Sequence, residues 1–211
     1  MTKPSYKSQG RLNLATKPLL LVLSGPSGSG KDAVLTRMKE LNYPLQYIVT
    51  VTTRPQRSNE RDNVDYHFVS RESFQKMIEH GNLLEWANVY GNLYGVPKQA
   101  VKEALDGGQD TILKVDIQGA TTIKKIMPQA ALIFLVPPSM TELATRLKQR
   151  NTESAADLSL RLKTAEEEVK RLPQFDYVII NKRDGISQVV SDILAIISAE
   201  KCRVTPREVR L

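Results

Sequence analysis

Gly25-Pro26-Ser27-Gly28-Ser29-Gly30-Lys31 stands between the apolar run Leu19-Leu20-Leu21-Val22-Leu23 and the segment Ala33-Val34-Leu35-Thr36-Arg37-Met38-Lys39. The order reads as strand, glycine loop and helix. Three glycines let successive backbone N–H groups turn inward without a Cβ clash, and the helix that follows aims the positive end of its dipole at the same point. Such a cradle suits a polyphosphate. Lys31 adds an ammonium able to reach the outer phosphates of a nucleotide, so the stretch fits G-x-x-x-x-G-K in spacing and in flanks. A Gly/Ser run can also be a plain flexible turn, but a turn needs neither the strand, nor the helix, nor a lysine at that one place. The eighth position, Asp32, usually carries a Ser or Thr whose hydroxyl ligates Mg²⁺. A carboxylate also ligates a hard cation while setting a negative charge beside the phosphates, so Asp32 is the expected metal ligand.

The chain has 211 residues, 41% of them hydrophobic, enough for one domain with a real interior. Lys and Arg outnumber Asp and Glu by 30 to 23. The bases are dispersed among acids, and neither an aromatic platform nor a basic recognition helix accompanies them, so nucleic acid is not the expected partner. The single Cys202 cannot form an internal disulfide, and no apolar stretch has the length of a membrane span. A reducing, aqueous compartment follows, and the cytoplasm is the expected location. Residues 1–17 read as a polar tail with neither a secretory signal nor an anchor.

Along the chain, Tyr47–Val51 reads as a strand, and Thr52 to Asp65 as a polar loop over a ligand. Tyr66–Val69 restores a strand. Ser70 caps a helix that Gly81 stops, and Leu83 to Val96 reads as strands around Gly91-Asn92. Pro97 opens a helix closed by Gly107-Gly108; Thr111–Asp116 is a buried strand, followed by a helix beyond Gly119 to Met127. Ala131–Val136 is another strand, and Ser139-x-x-Glu142 a capping box for a helix bearing Arg146 and Arg150. A helical stretch from Ser154 to Leu172, a strand at Tyr177–Ile180 and a helix at Ile186–Lys201 complete the pattern, with residues 204–211 as a tail. Strands alternating with helices through a phosphate loop imply an α/β, doubly wound parallel sheet.

Arg54 and Arg57 lie three apart in the polar loop, and Tyr66 and Tyr94 stand on strands that can return beside it. Two guanidiniums and two phenols make a second anion site. In isolation R-x-x-R would more simply be a surface loop paired with Glu60 and Asp62; the phosphate loop in the same chain favours the anion site.

The segments GPSGSGK, TTRPQR, VDYHFVS, LLEWANVYGNLYG, KVDIQGA, LVPPS and RLKQRNTES occur in that order from about residue 19 to 200, and together the chain resembles the guanylate kinase family. The resemblance implies a P-loop NTPase-type core (residues 18–50, 98–142 and 166–203), a small mixed α/β insertion that binds a nucleoside monophosphate (51–97) and a helical lid (143–165). It implies the reaction ATP + GMP giving ADP + GDP, with dGMP as a further acceptor, Mg²⁺ entering with ATP, and a monomer or homodimer. On matching positions it places the GMP phosphate at Arg54, Arg57, Tyr66 and Tyr94, and guanine at Glu85, Thr50 and Asp116. One carboxylate can accept from both N1–H and the 2-amino group of guanine, and adenine lacks that donor pair. Lys31 with the lid arginines Arg146, Arg150 and Arg161 falls on the transferring phosphoryl, and Asn181 near adenine.

This sequence also departs from the family's pattern: Asp32 replaces Ser/Thr, Val96 a hydroxyl residue, Lys114 an acid two positions before Asp116, and Asn59 and Asn63 glycines. Two rival readings are a peptide-binding module on the same scaffold, expected to lose Lys31 or the lid arginines, and a sugar-phosphate kinase, which needs no guanine reader. This chain keeps all of these residues. His67 and His80 have no metal-ligand spacing.

Overall fold

The computed structural model describes residues 17–58, 60–149 and 155–211; Arg150 and Asn59, both singled out above, lie outside them. Strand β1 (Leu20–Ser24) is buried along its whole length, because it lies between two strands and under helices on both faces. Removing each of its leucines from water stabilises the fold by about 2 kcal/mol. Among the described residues the main sheet has the order β2 (Gln46–Tyr47), β7 (Thr111–Lys114), β1, β8 (Ala131–Val136), β9 (Tyr177–Ile180), all parallel. Alternation sorts its side chains. Leu19, Leu21 and Leu23 face helices α1 (Lys31–Glu40) and α7 (Ile186–Lys201), while Leu20 and Val22 face α3 (Lys98–Asp106) and α4 (Ile117–Ile126).

The expected strand Tyr47–Val51 is not one element. Its first amides bond β7, Gln46 N to Asp110 O at 2.8 Å and Ile48 N to Ile112 O at 3.2 Å. From Thr50 the chain leaves that sheet: Thr50 O accepts from His67 N at 2.9 Å, and β3 (Val51–Thr52) joins a second sheet. That sheet has the order β4 (His67–Phe68), β3, β6 (Asn92–Pro97), β5 (Leu83–Val89) and is mixed, with β3 and β4 parallel and the other pairs antiparallel. Helix α2 (Arg71–Glu79), capped by Ser70 Oγ on Ser73 N, closes it over Phe74, Val51 and Leu93.

Helices α5 (Met140–Gln149) and α6 (Ala155–Val169) pack through Leu143, Leu147 and Ala165. Half of the expected capping box forms. Ser139 Oγ accepts from Glu142 N, but Glu142 turns its carboxylate to Arg146 Nε at 2.9 Å, where an ion pair replaces the return bond. Helix α4 begins two residues before Gly119 because Asp116 caps it, accepting from Gly119 N at 2.9 Å. The carboxy-terminal segment is tied down: Arg207 reaches Glu200 at 2.8 Å, and Val209 packs beside the α3/α4 core.

Candidate active site

In a parallel sheet, loops leaving the carboxyl ends of the strands gather on one rim. Here that rim carries the glycine loop after β1, Lys114 and Asp116 at the end of β7, and Asn181 after β9. Gly30 ends the loop with φ 103°, and a Cβ there would stand 2.3 Å from Asn181 Nδ2. That nitrogen donates to Ser29 O at 2.8 Å, so Asn181 pins the loop from beneath. Lys31 Nζ donates to Gly25 O at 2.5 Å and Pro26 O at 3.1 Å, and burial lowers its pKa against the opposing pull of Asp32 and Glu168. From α6, Arg161 Nη1 donates to Ser27 Oγ at 2.9 Å, and its guanidinium lies over the Tyr90 ring at 4.7 Å. Arg146 Nη2 donates to Asn181 O at 2.8 Å.

Across the rim the second sheet and its loop present Arg54, Arg57, Tyr66 and Tyr94, the residues expected to form a second anion site. Arg54 lies 5.4 Å from the Tyr66 ring centre; its Nη2 donates to both Glu60 carboxylate oxygens, at 2.7 and 2.9 Å, and its Nη1 to Pro55 O at 2.7 Å. Glu60 also accepts from Arg57 N at 2.9 Å and lies 3.6 Å from Arg57 Nη1. The pairing of both arginines with Glu60 is the one the ion-paired reading of the loop expected, whereas Asp62, the other acid of that reading, accepts from Phe68 N at 3.0 Å. Burial works against the charged form of Arg54, but Glu60 and Tyr94 together raise its pKa.

At the floor, Glu85 on β5 is only 5% exposed and its Oε2 has no partner among the described residues. Burial first, and then Asp116, push its pKa up to about 8. An orphaned acceptor of this kind is shaped for donors that arrive with a ligand. Thr50, which lines the same cleft, donates through Oγ1 to Lys114 O at 3.2 Å. Glu168 on α6, which the sequence reading passed over, has a second orphaned oxygen; burial raises its pKa to about 7 while Lys31 opposes that. It follows Arg161 by two helical turns on one face, a spacing that could have drawn attention to it. The glycine loop, Lys31, Arg54, Arg57, Tyr66, Glu85, Tyr94, Asp116, Arg161 and Glu168 all line one cleft of about 1050 Å³, open to solvent.

One cleft thus carries the glycine loop on one wall and Arg54 and Arg57 on the other. The sequence profile described as Guanylate kinase matches residues 17–200. The chain belongs to the guanylate kinase family. It is 46% identical over 186 residues to the guanylate kinase of Desulfitobacterium hafniense, covering 88% of this chain and 92% of that protein. It is 45% identical over 196 residues to guanylate kinase 2, chloroplastic/mitochondrial, of rice, covering 92% of this chain and 69% of that protein. Among solved structures, the guanylate kinase of Anaplasma phagocytophilum superposes with a TM-score of 0.74 at 34% identity, covering 90% and 89% of the two chains. The chain is thus an enzyme of the nucleoside monophosphate kinase type.

Within that family frame, the two unusual residues flagged separately in the sequence, Asp32 and Lys114, prove to be partners: Lys114 Nζ lies 2.5 Å from Asp32 Oδ1. The Asp32 carboxylate expected to hold Mg²⁺ is directed at an ammonium, and Asp116 is engaged by Gly119 N and by Gln118 Nε2 at 3.2 Å. No group of three His, Cys, Asp or Glu side chains suited to a metal occurs among the described residues. Any cation that Asp32 ligated would share its carboxylate with the Lys114 ammonium. No helix of the described chain is long and apolar enough to cross a membrane.

Proposed function

We propose that this cleft transfers the γ-phosphoryl of ATP to GMP in one direct step. Support comes above all from the buried, orphaned Glu85 carboxylate on the floor between the two anion pockets: it offers an acceptor matched to guanine's adjacent N1–H and 2-amino donors. Thr50 and Asp116 complete the base pocket. Arg54, Arg57, Tyr66 and Tyr94 hold the phosphate of GMP, and dGMP is a second acceptor because none of these groups requires the ribose 2′-hydroxyl.

Loop amides and the α1 dipole hold the ATP polyphosphate, with Lys31 released from its carbonyl contacts to reach the outer phosphates, and Asn181 near adenine. A phosphate oxygen of GMP forms a bond to Pγ as the bond from Pγ to the β–γ bridging oxygen breaks, and that electron pair leaves with ADP. Arg146 and Arg161, on the helices that pack over the loop, spread the charge of the three equatorial oxygens and exclude water as the lid closes. Arg150 is assigned the same role. The enzyme acts in the cytoplasm, as a monomer or a homodimer.

A coupled ADP-release assay with GMP, dGMP, AMP, UMP and a ribose bisphosphate tests this reading. GMP and dGMP should support turnover and the others should not. Tight GMP binding without ADP release would instead indicate a binding module.

A further inference from the structure

Lys114 is the last residue of β7, and its side chain is 11% exposed. The ammonium sits 3.9 Å from the centre of the Tyr66 ring on one side and 2.5 Å from Asp32 on the other. Tyr66 belongs to the wall that holds the acceptor's phosphate, and Asp32 immediately follows the loop lysine of the donor's wall. The side chain therefore spans the two anion pockets, and it lines the same cleft as Lys31, Arg54 and Tyr94. It also lowers the pKa of Lys31, so the two ammoniums act on one region of space. Burial works against its charge, but Asp32 and then Tyr66 outweigh burial and raise its pKa, which keeps the cation in place across the working pH range.

Resting on the guanylate kinase reading above, we propose that Lys114 is a further catalytic residue: its ammonium, poised between Asp32 and the face of Tyr66, binds the phosphate of GMP and the phosphoryl moving onto it. An anion entering between the pockets offers this ammonium more charge than the single, 59% exposed Asp32 carboxylate does. Asp32 then acts as the counter-ion that keeps a buried lysine oriented, while the chain supplies a fixed cation at the transfer point.

The competing view is that Lys114 merely neutralises Asp32. Binding of GMP and of guanosine, measured by calorimetry without ATP or Mg²⁺, separates the two. Lys114→Met should weaken GMP by roughly ten- to a hundred-fold, the loss of one charge-assisted contact, and leave guanosine unchanged. The double variant Asp32→Asn/Lys114→Met keeps the site neutral, so it reports even if the single variant unfolds, and it should show the same selective loss. Recovery of parental GMP affinity in the double variant, or equal losses for GMP and guanosine, would overturn the proposal. A parent chain that neither binds GMP nor releases ADP with it would bring down the reading of the cleft itself, a result distinct from an active parent matched by an equally active Lys114→Met.

Discussion

The carboxylate of Glu85 is seated against the α-carbon of Gly119: a β-carbon there would stand 2.7 Å from Glu85 Oε2 and 2.9 Å from its Cδ. Glycine in the first turn of α4 makes the room in which the carboxylate proposed to read guanine lies. Gly119→Ala should therefore push Glu85 off its position and raise KM for GMP on the order of ten- to a hundred-fold, with KM for ATP near parental. Steady-state kinetics with each substrate varied in turn checks this; parallel changes in both constants would count against it.

Glu85 itself predicts a proton linkage. Its carboxyl is raised from 4.5 to about 8, so in the free chain it is protonated below that value, and it must ionise to accept two bonds from guanine. GMP affinity should climb as pH rises toward about 8, with proton release on binding seen as a calorimetric enthalpy that depends on the buffer. Glu85→Gln should abolish the release and lose GMP far more than ATP.

The same group fixes a sign for stability. A carboxyl that is harder to ionise folded than unfolded stabilises fully below its unfolded pKa of 4.5, and that contribution is lost as pH rises through the folded value of about 8. Glu168, raised from 4.5 to about 7, adds in the same direction. The ligand-free chain should thus gain stability from pH 8 downward in this window when Glu85→Gln and parent are compared by urea unfolding, and the variant should lack that part of the slope.

Arg161 donates to the glycine loop at Ser27 Oγ, on the wall proposed to hold ATP. Arg161→Ala should lower kcat by about a hundred- to a thousand-fold, the scale for one positioned donor, while leaving GMP binding within a few-fold. Equilibrium binding measured beside kcat distinguishes this from general damage.

Glu200 is a fully buried carboxylate on α7, held by Tyr177 Oη at 2.5 Å and Arg207 at 2.8 Å. Arg207→Ala leaves it with the more distant Arg203, at 3.6 Å, as a counter-ion and should cost about 3 kcal/mol of stability, read as a lower unfolding midpoint with the kinetic constants retained. Unchanged stability would show that the carboxy-terminal segment does not brace the fold.

The glycine loop and the arginine pair were legible in the sequence because each depends on residues close together in the chain, and Glu85 was reached only through the resemblance to the family. What escaped depends on contact between distant residues. Asp32 and Lys114 each stood out as odd, yet their pairing across 82 positions exists only because β7 lies beside β1 in a parallel sheet. The run from Tyr47 to Val51 reads as one apolar strand, and nothing local marks the point where it passes from one sheet to the other. Gly119 and Glu168 carry no motif of their own; their meaning comes from what the fold sets against them.

The central claim is that two anion pockets share one cleft, so that a single phosphoryl passes between nucleotides bound face to face. The most direct measurement is inhibition by a dinucleotide in which adenosine and guanosine are joined through a bridging oligophosphate. Competition with both ATP and GMP, each excluded by one molecule bound at one equivalent per chain, is the predicted result. Competition with one nucleotide alone, or binding of two equivalents, would contradict the account.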